Sequence, residues 1–348
     1  MGGVTAHTVE REHAASGRSS RARLAILKAL EELGESAGAS KISSMLQGTG
    51  IDLQERTIRF HLRKMDRDGL TRFVAKRAGR LITENGRREL ACQTVMTKVG
   101  FVTSKMDEFG FRMSFHPDAA SGTVPANTAF INEIDLPRAL HLMQPVFTSG
   151  LSMGDRIALR TDDPAVPRGK TGIMTICSVI INGVFLKAGI PVVSRFGGLV
   201  EMEHGAPKRF LEIIEYRGTS VDPHKLFIKA NFTTVNRCAE TGRGVICVSF
   251  REFPSAAIDT AKKLVAKLQD VNCHGVLAVG APNRPLLDVP VGDGRTGMIT
   301  IDGLNPIAAL HEAGVPVELS PLSGLEEISS FAAFKDVAAM ERRSASME

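Results

Sequence analysis

Two stretches of this chain repeat one another. Residues 169–192 read GKTGIMTICSVIINGVFLKAGIPV, and residues 294–317 read GRTGMITIDGLNPIAALHEAGVPV. They align without a gap at an offset of 125 residues, sharing Thr171/Thr296, Gly172/Gly297, Thr175/Thr300, Ala188/Ala313, Gly189/Gly314 and Pro191/Pro316 among others. A gapless match of this length marks an internal duplication, so the region around it is expected to be built twice. The flanks agree. An apolar strand precedes each copy, Thr128 to Ile134 and Val245 to Phe250. An amphipathic helix follows each, Leu136 to Phe147 and Ser255 to Leu268, and then a second strand, Ile157 to Leu159 and Val276 to Val279. The repeated stretch adds strand, short helix and strand. Each half, about 125–218 and 244–325, therefore reads β-α-β-β-α-β, the ferredoxin-like order. This predicts an α+β fold with two four-stranded antiparallel sheets and helices on one face, a two-layer region.

Between the halves, Asp222-Pro223 reads as the N-cap and first residue of a short helix running to Lys229. Thr241-Gly242-Arg243-Gly244 reads as a loop. The segment from Lys98 to Phe115 connects the first half to what precedes it, and its place in a sheet stays open. Residues 326–348 read as a C-terminal tail.

The first 90 residues differ in charge. They hold 17 Lys and Arg against 11 Asp and Glu, a balance of +6, whereas residues 91–348 hold 26 against 27, a balance of −1. All of the basic excess lies in the first quarter of the chain, and a polyanionic partner is expected there. Residues 1–18 have little apolar content and read as a disordered arm. Leu24, Ile26, Leu27, Leu30 and Leu33 then recur at helical spacing until Gly34. A short helix follows around Ser40 to Gln47, and a third from about Leu53 to Asp68 with Ile58, Leu62 and Met65 on one face. Off that stripe lie Arg56, Thr57, Arg59, Arg63, Lys64 and Arg67. Leu70 to Ala75 reads as a strand, Lys76-Arg77-Ala78-Gly79-Arg80 as a basic turn, Leu81-Ile82 as a return strand, and Thr83-x-x-Gly86 opens a further helix.

Three helices and a basic-tipped hairpin in this order predict a winged helix-turn-helix over residues 19–97. A helix of this length fits the major groove, where exposed Arg and Thr reach base edges, so Arg56, Thr57, Arg59 and Arg63 are the candidate readers. Lys76, Arg77 and Arg80 of the wing are placed for phosphate or the adjacent minor groove. The expected partner is double-stranded DNA, and a dimer of such modules calls for an inverted repeat.

Other classes fit poorly. There is no Trp and a single Tyr, Tyr216, a composition that argues weakly against a base-stacking single-strand binder. The longest apolar stretches, such as Ile173 to Ile181, contain Thr or Ser and fall far short of the ~20 residues that span a bilayer. The N-terminus shows no apolar signal-peptide core, so a cytoplasmic protein with no membrane partner is expected. Five widely spaced cysteines without a C-x-x-C pair are expected to be reduced thiols that hold no metal.

The runs ERTIRFHLRKMDRDGLT, RLITENGRREL, GKTGIMTICSVIINGVFLKAGIPVVSRFGGLVE and GLNPIAALHEAGVP resemble the nitrogen-responsive repressor family NrpR of methanogenic archaea, over about residues 20–325. The resemblance implies a homodimeric repressor of nitrogen-assimilation genes that binds a palindromic operator and senses 2-oxoglutarate as a small-molecule effector, with no other cofactor. This chain carries one copy of the regulatory region where some members carry two.

For an anionic effector the residues offer two kinds of contact. Arg195-Phe196-Gly197-Gly198 follows a predicted strand; glycines let a backbone approach a ligand, and Arg grips a carboxylate with paired hydrogen bonds. Ser178 begins the short helix of the first repeat, where free N–H groups favour an anion. Thr175 and Cys177 lead into that helix and complete the candidate set. Cys177 reads as a small buried apolar group, since no base is placed beside it to make it a nucleophile. The repeat counterpart of Arg195 is Ser320, so a ligand is expected to depend on the first half more than the second. No catalytic or metal-binding pattern stands out. The alternatives are a dimeric DNA-binding regulator that senses another metabolite or none, and a DNA-binding module fused to an enzyme.

Overall fold

A computed structural model of the chain describes residues 22–48, 51, 53–75, 78–97, 100–161 and 166–344. They form two compact units that divide between Val99 and Gly100. The expected N-terminal arm and the wing residues Lys76 and Arg77 lie outside the described residues.

The first unit contains helices α1 (residues 22–33), α2 (Ala39–Gly48) and α3 (Glu55–Arg67), strands β1 (Thr71–Ala75) and β2 (Gly79–Ile82), and helix α4 (Glu84–Thr97). Ile26, Leu27 and Leu30 of α1, Ile42 and Leu46 of α2, and Ile58, Leu62 and Met65 of α3 close one apolar core. These residues recur three or four apart, which is why three short helices can each bury one stripe. β1 and β2 pair as the wing, and Ala37 joins them through two backbone hydrogen bonds with Arg80, at 2.9 and 3.0 Å. Gly79 is obligatory here: its φ is +86°, and a Cβ would lie 2.1 Å from the Ala37 carbonyl oxygen. Thr83 opens α4, its hydroxyl accepting from the Gly86 N–H at 3.0 Å and donating to the Gly69 carbonyl at 2.6 Å.

The second unit starts with α5 (Phe101–Arg112). Its first half follows as β3 (Thr123–Asn132), α6 (Leu136–Thr148), β4 (Arg156–Arg160), β5 (Lys170–Ile176), α7 (Val179–Lys187) and β6 (Val193–Glu203). The connection adds β7 (Ala206–Glu215), α8 (Pro223–Lys229) and α9 (Val235–Thr241). The second half comprises β8 (Gly244–Pro254), α10 (Ile258–Asp270), β9 (Val276–Val279), β10 (Arg295–Ile301), α11 (Asn305–Glu312) and β11 (Glu318–Glu327), and β12 (Ala332–Ala333) and α12 (Phe334–Ser344) follow it. No described helix is long and apolar enough to cross a membrane.

The order β-α-β-β-α-β thus recurs, but a self-contained ferredoxin-like sheet in each half is not what forms. The sheets run β11-β3-β5-β4-β12 and β7-β6-β8-β10-β9, with every neighbour antiparallel. The last strand of each half has crossed to the other half's sheet. β6 lies on β8, with Phe196 opposite Phe250, and β11 lies on β3, with Leu319 opposite Ala129. A backbone ladder is indifferent to how its strands are connected, so the last strand of either half can pair beside the first strand of the other. β5 and β10, the repeated strands, are buried on both faces, which explains their near-continuous apolar sequences.

Three further points separate structure from sequence. β7 and β12 each add a fifth strand at an edge. Residues 326–344 are not a tail: Phe331, Phe334 and Ala338 are buried, and Phe334 stacks on Phe147 of α6 with centroids 4.4 Å apart. The segment entering the first half is a helix and not a strand. α5 docks on α7 through Gly110 and Gly183, and a Cβ on Gly183 would lie 2.0 Å from the Met113 sulfur and 2.8 Å from the Gly110 oxygen.

Candidate DNA-binding face and regulatory site

With Ile58, Leu62 and Met65 in the core, the opposite face of α3 is fixed. Arg56, Phe60, Arg63 and Arg67 follow one another at i, i+4, i+7 and i+11, and all four are exposed. Arg59 lies on the flank and forms an ion pair with Glu55 one turn earlier. Thr57 is half-buried on the other flank. His61 is buried beside the core, and burial, reinforced by Arg23 and Lys64, holds its pKa below the usual imidazole range, so it sits there neutral. The sequence pattern missed Phe60, which is 59% exposed among arginines. Its signal was an aromatic residue off the apolar stripe.

Arg80 takes a bracing position and does not present a free guanidinium. Its Nε donates to Asp66 Oδ2 at 2.7 Å, its guanidinium lies 5.4 Å from the Phe73 ring centroid, and Thr71 Oγ1 donates to the other Asp66 oxygen at 2.6 Å. This ties the wing's base to the end of α3, so the helix and the wing are held as one piece.

In the second unit, Ser178 begins α7 inside a buried polar cluster. Its Oγ accepts from Arg251 Nη2 at 3.0 Å and lies 3.4 Å from Asp302 Oδ2. Arg251 is fully buried; its Nε donates to Asn182 Oδ1 at 2.8 Å and its Nη1 to Thr300 Oγ1. Asp302 also accepts from His224 Nδ1 at 3.1 Å and from the Leu304 N–H at 2.9 Å. His224 Nε2 lies 2.8 Å from the Val248 carbonyl oxygen. Both ring nitrogens therefore face acceptors, which only the imidazolium satisfies. Burial alone would lower the His224 pKa, but Asp302 and then Asp222 outweigh it and lift it to about 9. The same contact holds the Asp302 carboxyl below its usual range against its own burial.

The predicted effector residues are distributed around this cluster unevenly. Gly197 abuts it, since a Cβ there would lie 2.9 Å from His224 Nε2. Gly198 instead faces the Phe210 ring and the Glu212 oxygen. Arg195 is committed elsewhere: its Nη1 donates to Glu252 Oε1 at 2.7 Å and to the Pro290 carbonyl at 2.6 Å. Thr175 is buried opposite Asn127, and its Oγ1 and the Asn127 Nδ2 have no hydrogen-bond partner. Cys177 packs with Val102, Tyr216 and Leu322, and burial, with Asp302 nearby, pushes its thiol up to about 12. Arg251, His224 and Asp302 escaped sequence reasoning. The available signal was Asp302 itself, which stands where the first repeat has Cys177.

Comparison with known proteins places this arrangement. Residues 99–333 match the NrpR regulatory domains NRD1 and 2, and residues 24–90 match the ribonuclease R winged-helix domain. Global nitrogen regulator NrpRI of Methanosarcina mazei is 34% identical over 306 residues, covering 87% of this chain and 94% of that protein. Global nitrogen regulator NrpR of Methanocaldococcus jannaschii is 31% identical over 310 residues, and that of Methanococcus maripaludis 30% over 305. These matches take in 89% and 88% of this chain, which spans about half, 54%, of the length of each of those two proteins. The crystal structure of a nitrogen repressor-like protein from Methanococcus jannaschii aligns with a TM-score of 0.58 at 29% identity, covering 66% of this chain and 97% of that one. With the regulatory-domain match running through most of its length behind a winged helix, the chain belongs to the NrpR family of nitrogen regulators.

Proposed function

We propose that the chain is a nitrogen-responsive transcriptional repressor that binds an inverted-repeat operator as a homodimer and releases it when 2-oxoglutarate occupies the regulatory unit. The observation that carries the DNA-binding reading is the outward face of α3. Arg56, Arg63 and Arg67 stand free of the core on a helix whose opposite side is locked into it, within the segment that holds all of the chain's basic excess. Such a face enters the major groove, where Arg reads guanine with two hydrogen bonds. The relatives named as global nitrogen regulators support the physiological setting.

A regulatory role for the second unit, in place of catalysis, is supported by its polar cluster. Arg251 is committed to Asn182, Thr300 and Ser178, His224 is committed to Asp302 and the Val248 carbonyl, and the nearby Cys177 is held as a thiol. Release by an effector requires that it bind the low-affinity conformation better than the operator-binding one, because only differential affinity moves the equilibrium.

Footprinting followed by a mobility-shift titration tests the reading. Two protected half-sites spaced by one helical turn, ~34 Å, or a multiple of it are expected. A single asymmetric half-site occupied by a monomer overturns the dimer. Unchanged operator affinity in the presence of 2-oxoglutarate overturns the effector.

A further inference from the structure

α5, the N-terminal end of α8 and the bulged middle of β11 line a half-open cavity of about 250 Å3. Its wall includes Phe101 and Lys105 from α5, Asp222 and Lys225 at the α8 end, and Ser320 and Leu322 from β11. The floor is fixed by an unusual backbone. Pairing with β3 shifts register between Ser320 and Gly324, and Leu322 sits in the left-handed region at φ +48°. Its N–H is held by Asn127 Oδ1 at 3.0 Å, and its side chain packs on Val102, Cys177 and Tyr216. A branched residue in that conformation persists only where its surroundings hold it.

We propose that this cavity binds a small dianion, a four- or five-carbon diacid with one carboxylate at Lys105 and the other at Lys225, and that it is the effector site of the repressor. The proposal rests on the ligand-responsive reading above and adds the place and the contacts.

Charge selects the ligand class. Among the described residues, neither lysine has a carboxylate within ion-pairing distance. Lys105 is half-buried with its ammonium 5.7 and 5.5 Å from the Phe101 and Phe109 ring centroids, and burial lowers its pKa. An anion would restore what burial has cost it. Among the described residues the one acid on the wall, Asp222, is already engaged: it accepts the Lys225 N–H at 3.0 Å and faces His224 Nδ1 at 3.8 Å. Size selects within the class. The volume is below the roughly 300–1,000 Å3 of drug-sized sites, and the apolar wall of Phe101 and Leu322 suits a short methylene span between two charged ends.

The repeat supplies an independent reason for the opening. Ser320 is the counterpart of Arg195 in the repeat, but Ser320 pairs with Thr128 whereas Arg195 lies in a bulge between Ser194 and Phe196. Arg195 fills its own surroundings by bridging Glu252 and the Pro290 carbonyl. Ser320 is too short to do so, and space remains. The sequence makes a ligand depend on the first half through Arg195, whereas this cavity is lined by β11 of the second half.

The position of the cavity also fits regulation. The Gly110 end of α5 is bolted to α7, whereas its Phe101–Lys105 end borders the cavity and carries the hydrogen bond from Thr103 Oγ1 to the Tyr216 carbonyl, 3.1 Å. Phe101 opens the first helix after the division between the units. A ligand held between Lys105 and Lys225 would bear on the N-terminal end of that helix.

Calorimetric titration of the full-length protein with 2-oxoglutarate, glutarate and the monoacid 2-oxobutyrate tests this. Wild type should bind both diacids, and the monoacid at least tenfold more weakly. Lys105→Met and Lys225→Met should each weaken diacid binding by about 10- to 100-fold, the range of a lost charge-assisted contact. Lys187→Met, an exposed lysine away from the cavity, serves as the control and should bind as wild type does. Circular dichroism of each variant establishes that it is folded. Wild-type affinity in both cavity variants overturns the site and leaves the ligand-responsive reading standing. Failure of wild type to bind either diacid overturns both.

Discussion

Raising the pH should loosen the regulatory unit through a single imidazole. His224 is buried with Nδ1 3.1 Å from Asp302 and Nε2 2.8 Å from the Val248 carbonyl, so loss of its proton leaves one of these acceptors without a donor. Its pKa is about 9 in the folded protein against 6.5 when free. Because the folded value is the higher one, the stabilisation is complete below about pH 6.5 and is lost as the pH rises through about 9. At about 1.4 kcal/mol for each tenfold step, the gap corresponds to about 3 kcal/mol, a large share of a typical domain's stability. The assay is urea unfolding at pH values from about 6 to 9.5, followed by the fluorescence of Tyr216. That is the only tyrosine in a chain without tryptophan, and it lies in this unit, hydrogen-bonded to Ser249. His224→Gln keeps a polar donor but cannot take up the charge. It should be less stable than wild type near pH 6 and converge with it near pH 9.5. Parallel stability curves for the two proteins across that range would refute the imidazolium assignment.

Other consequences can be checked separately. Arg56→Ala and Arg63→Ala should each weaken operator binding by ~1–3 kcal/mol in a mobility-shift assay, whereas Arg59→Ala, already paired with Glu55, should cost less. Phe60→Ala should abolish a preference for thymine at one half-site position, measured by replacing each thymine with deoxyuridine, since an exposed phenyl among arginines is placed to meet the thymine methyl. Asp66→Ala deprives both Arg80 and Thr71 of their acceptor and should destabilise the winged-helix unit by about 1–2 kcal/mol on thermal unfolding. Gly183→Ala should cost about 1–3 kcal/mol by overpacking against Met113; an unchanged urea midpoint would show that α5 does not dock on α7 this closely.

The winged helix is legible in sequence because its determinants are local. Ile58, Leu62 and Met65 repeat at helical spacing, and Thr83 and Gly86 mark the next helix start within a few residues. The same holds for the helix opened by Asp222, whose side chain accepts the Lys225 N–H as the Asp-Pro pair suggests. Strand exchange is not legible, because β6 beside β8 and β6 beside β3 demand the same alternation of side chains. The polar cluster is hidden for a related reason. Arg251 meets Ser178 across 73 residues and Asp302 meets His224 across 78, distances over which no spacing rule operates. Arg195 shows the opposite failure: a cation beside two glycines looks free in sequence, and only the fold reveals Glu252 and Pro290 against it. Residues 326–344 read as a tail because their apolar positions are too few to form a pattern, although Phe331 and Phe334 are buried.

The exchange of β6 and β11 has a consequence for how the second unit comes into being. Glu318 pairs with Phe130 and Glu327 with Thr123, so the first sheet cannot be completed until nearly the whole chain has been made. Neither half is a folding unit in its own right, and severing the chain between them would leave each sheet with an open edge beside β3 or β8. Such long-range pairing raises contact order and slows folding, and it also makes unfolding concerted, since pulling out one terminal strand opens the sheet of the other half. The arrangement has the topology of two small domains that trade their last strands, but with both in one chain the interlock cannot come apart by dissociation.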